Sequence, residues 1–138
     1  MSGKLQPRLR FDHAVVEQTD GGECRVKVTL SLGLQVIEAS AEGGEGEGLL
    51  KVAALAALRA VELSVEGRFT CALADVDRVT ALGKDLIAVL VDVRFEQRDV
   101  QVFGSCQISG NQVDAVVKAA LNATNRFFDL SMRDSMED

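Results

Sequence analysis

The chain has 138 residues, 47% hydrophobic and 26% charged, which fits one globular domain and excludes disorder along its whole length. Its formal net charge of −6 and its lack of any basic run exclude general binding to nucleic acid, whose phosphates are held by Lys and Arg. With six Phe and neither Trp nor Tyr, the core has to be built from Val, Leu, Ile and Ala.

Residues 1–10 hold the only proline, Pro7, and read as a flexible leader with no apolar secretion signal. Phe11 to Gln18 predicts a short strand suited to a sheet edge, and Thr19-Asp20-Gly21-Gly22 a turn. From Cys24 to Leu32 the pattern alternates cleanly. Cys24, Val26, Val28, Leu30 and Leu32 fall on one face, and Arg25, Lys27, Thr29 and Ser31 on the other. Gly33 permits a tight reversal, and Leu34 to Ala41 returns as the hairpin partner. A glycine-rich stretch, Glu42 to Gly48, then leads into a helix over Leu49 to Leu63, with Leu50, Ala54, Ala57, Leu58 and Val61 in a stripe.

After Glu66-Gly67 the order repeats. Arg68 to Val76 predicts a strand, with a turn around Gly83-Lys84-Asp85. Leu86 to Phe95 is apolar enough to predict a central strand covered on both faces. Glu96 to Asp99 predicts a four-residue hairpin turn, and Val100 to Ile108 the returning strand. Asn111 is placed to cap a second helix, whose stripe runs Val113, Val116, Val117, Ala120, Leu121, Thr124 and Phe128. Residues 131–138 are polar and acidic and read as a frayed tail.

The two runs of strand, strand, strand, helix also align in register. Val26, Val28 and Leu30 match Val89, Val91 and Val93 at a spacing of 63 residues, as Leu50, Ala53, Ala57 and Leu58 match Val113, Val116, Ala120 and Leu121. Leu34 and Val36 match Val100 and Val102 at a spacing of 66, which requires a longer second hairpin turn. Repeated topology with a repeated apolar register points to duplication. The predicted fold is therefore α+β, with two pseudo-symmetric βββα units, halves at 11–65 and 66–130, a mainly antiparallel sheet and two helices packed together.

A doubled βββα unit resembles the C-terminal regulatory domain of 2-isopropylmalate synthase and citramalate synthase. That family carries a loop of the form Gly-Asp/Asn-Gly-Pro-Val-Asp-Ala before its first helix. Here Glu45-Gly46-Glu47-Gly48-Leu49-Leu50-Lys51-Val52-Ala53 is similar but lacks the proline and the aspartate. The family's second helix ends in a phrase like Ala-Tyr-Leu-Asn-Ala-Leu-Asn-Arg, to which Ala119-Ala120-Leu121-Asn122-Ala123-Thr124-Asn125-Arg126 is close. The resemblance covers about residues 11–128. It implies a homodimer that binds an end-product amino acid such as leucine near loops and helix ends. No part of the chain corresponds to the synthase's catalytic barrel, so synthase activity is not implied.

The residues themselves predict neither a catalytic site nor a cofactor. His13, the only histidine, has no Ser or Cys nucleophile at a supporting spacing. Asp75 and Asp77 share a strand face and read as an exposed acidic end. Cys24, Cys71 and Cys106 are odd in number and far apart, which predicts buried free thiols and no metal site. Asn122 and Asn125 read as polar helix-surface residues. The candidate ligand site is the glycine-rich loop, Gly43, Gly44, Gly46, Glu47 and Gly48, whose helix offers N–H groups to a carboxylate while the glutamates meet an amino group.

The expected function is a non-catalytic, stand-alone binding or regulatory module for a small amino acid or carboxylate. The alternative is a structural or protein-interaction domain anchored by Phe103. No apolar run is long enough to span a membrane, and the expected location is the cytoplasm.

Overall fold

A computed structural model describes residues 8–18, 21–44 and 48–137, with side chains as far as Arg133. Its elements are β1 (Leu9–Gln18), β2 (Cys24–Leu32), β3 (Gln35–Gly43), α1 (Leu49–Ser64), β4 (Phe69–Ala81), β5 (Lys84–Phe95), β6 (Arg98–Gln107) and α2 (Gln112–Glu137). The strands form two antiparallel sheets in chain order, β1-β2-β3 (sheet A) and β4-β5-β6 (sheet B). The fold is the expected pair of βββα units.

Each helix covers its own sheet. Helix α1 lies on β2 and β3 and reaches β4, α2 lies on β5 and β6 and reaches β1, and the helices pack against each other. This crossing ties the halves into one core. Val26, Val28 and Leu30 of β2 and Ile87, Val89, Val91 and Val93 of β5 face inward, buried by alternation. In α1, Ala53, Ala56, Ala57 and Ala60 are fully buried. Their small side chains let the helix approach sheet and partner helix at once.

The register is more regular than the apolar residues alone suggest. Leu32 pairs with Gln35 around Gly33-Leu34, and Phe95 pairs with Arg98 around Glu96-Gln97. Both hairpins thus turn on two residues, and the four-residue turn and the 66-residue spacing are corrected. The spacing of 63 continues through β3 and β6, putting Ala41 opposite Gly104 in the alignment. Leu34 and Val36 misled because both stay outside while Ile37 enters the core. Each leading strand also carries a one-residue bulge, β1 at Asp12 between the partners Leu30 and Thr29 and β4 at Ala74 between the partners Val91 and Leu90, two residues further along in the shared register.

Three boundaries also differ. Strand β1 starts at Leu9, which pairs with Leu32 and packs against the core. Strand β4 continues to Ala81 and turns through Leu82-Gly83. Helix α2 runs on to Glu137 in place of a frayed tail. Ser131 is fully buried, and the Arg68 guanidinium donates to its carbonyl at 2.8 Å. Phe127 meets Phe69 and Phe95 with ring centroids 6.1 and 5.8 Å away. Continuing the helix keeps backbone groups paired while this cluster covers the end of the core. Finally, β5 is covered on one face only. Leu86, Ala88 and Leu90 stay half-buried on the outer face of sheet B.

Candidate functional site

Gly43 closes β3 opposite Cys24 and is buried. Gly44 and Gly48 are exposed, with open space where a Cβ would lie. Gly46 and Glu47 lie outside the described residues. Gly48 is the N-cap of α1, has φ −48° and ψ 150°, and supplies no side-chain cap. Its carbonyl starts the helix by accepting from the amides of Lys51 and Val52. The equivalent residue of the second half is Asn111, whose Oδ1 accepts from the Val113 amide at 2.8 Å. The two helix starts are thus built alike and finished differently, and α1 has no acidic residue in its first turn where α2 has Asp114.

A second place on α1 carries more side-chain chemistry. Arg59, Glu62 and Leu63, spaced i, i+3, i+4, share the helix face opposite the buried alanines. With Ala39 and Ser40 of β3, Gly67 of the turn after α1 and Thr70 at the start of β4, they line an open groove of about 560 Å³. The groove exists because β3 and β4 are edge strands of different sheets and α1 bridges them. Arg59 donates from Nη1 to the Ser40 carbonyl at 2.8 Å, and Glu62 Oε2 accepts from the Cys71 amide at 2.8 Å. Each side chain satisfies one backbone group that its sheet leaves unpaired. A guanidinium has five donors and a carboxylate two oxygens, so hydrogen-bonding capacity remains on both. Leu63 is 58% exposed beside them.

The groove and the glycine-rich loop are separate. Arg59 stands eleven residue steps along the helix from Gly48, a rise of about 16 Å. The one signal of the groove in the sequence is that Arg59 and Glu62, the charged residues of the helix beyond Lys51, stand one turn apart among Ala, Val and Leu, a spacing that by itself reads as an ordinary solvated helix face.

The remaining sequence candidates disperse. His13 is exposed on edge strand β1, opposite Thr29. Asp75 and Asp77 are exposed, and each accepts from the next residue's backbone amide at 2.8 Å. Asn122 donates to the Ser105 carbonyl at 3.1 Å, so it closes the β6 edge much as Arg59 closes that of β3. The cysteines are free and half-buried, not fully buried. Desolvation, with a smaller contribution from the Glu62 carboxylate, pushes the Cys71 thiol up to about 12. Hydrogen bonds from Thr80 and Arg78, with the charge of Arg78, hold Asp85 below its usual range. Among the described residues, no group of three His, Cys, Asp or Glu is placed to hold a metal ion, and no helix is long and apolar enough to cross a membrane.

A scan against protein-family models and a search of curated proteins both find no match to this chain.

Proposed function

We propose that this chain is a non-catalytic binding or regulatory module that takes a free amino acid with an apolar side chain, or a related small carboxylate, in the α1 groove. The observation that carries this reading is the set of Arg59, Glu62 and Leu63 along one cleft of about 560 Å³, within the size range of small-ligand sites. The guanidinium matches a carboxylate, the Glu62 carboxylate an ammonium, and Leu63 with Ala39 an apolar side chain. The resemblance to the amino-acid-sensing domain of isopropylmalate synthases supports the same ligand class, and it adds a homodimer.

A thermal-shift screen against the common amino acids and small carboxylates tests the proposal. A stabilising ligand is expected, its effect reduced at least tenfold in apparent affinity by Arg59→Ala and by Glu62→Gln. A ligand unaffected by both but lost in Gly48→Ser would move the site to the glycine-rich loop. No shift with any compound would favour the alternative, an interaction domain without a small ligand. Sedimentation of the full chain tests the homodimer, which should run at twice the 14.8 kDa chain mass.

A further inference from the structure

The outer faces of the two sheets differ although their backbones correspond. On sheet A the outward side chains pair with one another. Arg25 bonds Glu42, Lys27 lies 3.7 Å from Glu38, and Ser31 donates to Asp12 at 3.1 Å. That face is mostly polar and paired. Its two exposed valines, Val15 opposite Lys27 and Val36 opposite Ser31, stand on opposite edge strands and form no continuous strip.

Sheet B carries an apolar strip in the same place. Leu86, Ala88 and Leu90 follow one another at alternate positions of β5, only half-buried. Phe103 of β6 pairs with Leu90 and is 64% exposed, and Val79 of β4 pairs with Leu86 and is also exposed. A recess of about 200 Å³ lies between Phe103, Leu90 and Ala88 and the two aspartates of β4, Asp75 and Asp77. A phenylalanine so exposed beside other apolar side chains marks a contact surface.

Charge narrows the occupant. The outward positions of sheet B hold Asp75, Asp77, Asp92 and Asp99 against Lys84 and Arg94, on a chain of net charge −6. A second copy of this face would bring the same excess of carboxylates against it. An amphipathic helix whose apolar stripe is flanked by Lys and Arg would bury Phe103 and Leu90 and meet Asp75 and Asp77 on the strip's border. The inner face of the same sheet already docks one helix, α2. Three strands about 4.8 Å apart and twelve residues at about 3.4 Å each offer a face of roughly 590 Å², enough for a weak, reversible interface.

We propose that the outer face of sheet B docks a basic amphipathic helix of a partner protein, with Phe103 as its anchor. This surface is independent of the α1 groove and stands whether or not the groove takes a ligand.

The test uses the full chain and a fluorescein-labelled Leu/Lys peptide of about 18 residues, five helical turns with one apolar face. A scrambled peptide of the same composition is the control. Anisotropy should report micromolar binding of the amphipathic peptide and at least tenfold weaker binding of the scrambled one. Phe103→Ser and Leu90→Ser should each weaken binding at least tenfold. Asp75→Asn with Asp77→Asn should flatten its salt dependence. Circular dichroism melts check that the variants stay folded, as expected for outward-facing positions. Peptide binding that is absent, or equal in the Phe103 variant or for the scrambled control, overturns the proposal. A dimer in sedimentation that dissociates in Phe103→Ser overturns it too, in favour of a second copy on this face.

Discussion

The first half, through Val65, and the second, from Glu66, share a backbone plan, each with one bulge in its leading strand, yet they differ wherever a side chain meets something outside its own sheet. Gly48 opens α1 where Asn111 caps α2. Ala41 is buried with a Cβ in place, where at Gly104 α2 leaves no room for one. Sheet A turns a mostly polar, paired face to solvent where sheet B exposes Phe103 beside the half-buried Leu90. Inward positions of the central strands answer to a shared core and stay alike. Outward positions, caps and turns are free to diverge, and that is where both proposed binding surfaces lie.

The sharpest way to break the comparison is at Gly104. A Cβ there would lie 2.1 Å from the Ala119 carbonyl oxygen and 2.5 Å from the Ala123 nitrogen, both backbone atoms that cannot rotate aside. Gly104→Ala should destabilise by about 3 kcal/mol or more in urea titration, whereas Ala41→Gly at the matching position should cost about 1 kcal/mol. Equal effects would mean that the two helices sit at the same height on their sheets.

High pH should expose a second asymmetry. Cys71 titrates near 12 in the folded chain against 9.0 for a free thiol, so the two states hold the proton equally below pH 9. Between 9 and 12 the unfolded thiol ionises and the folded one does not, so stability falls by about 1.4 kcal/mol per pH unit. The matching residue of the first half, Phe11, has nothing to titrate. By pH 10.5 the chain should have lost about 2 kcal/mol more than Cys71→Ala, measured as the difference in urea midpoints.

The hairpin turns provide a gain instead of a loss. Gly33 takes the positive φ of the first, but in the second Glu96 and Gln97 both hold positive φ, at 53° and 66°. Replacing the pair with Asn-Gly, which favours this two-residue turn, should stabilise the chain by about 1 kcal/mol in thermal unfolding.

The helix caps give the smallest effects. Asn111→Ala should cost about 1 kcal/mol, and Gly48→Ser should add a few tenths, because Gly48 has open space and an extended ψ ready for a capping residue. If Gly48→Ser destabilised the chain, the glycine would be filling a structural need of the loop.

The strands, helices and repeat were legible wherever one face of an element is buried, because burial imposes a period of two or about four that a reader can count. Strand β2 kept the predicted bounds, and Asn111 caps α2 as predicted. At the ends of elements the pattern misled. Leu34 and Val36 looked like core and face solvent, while the 131–138 stretch looked like solvated tail and Ser131 is buried. The glycine-rich loop stood out by composition alone, whereas Arg59 and Glu62 attract notice only once β3 and β4 are seen to leave their edges on either side of α1.

The sequence by itself determined the two βββα units, their common inward register and their mainly antiparallel pairing, since alternation and helical spacing are local consequences of burying one face. Only the tertiary structure decided that two edge strands from different sheets flank α1, that α2 settles onto Gly104, and that the apolar outer strip of sheet B stays uncovered. Those outcomes depend on how the halves meet across residues far apart in the chain, and no periodicity within either half records that.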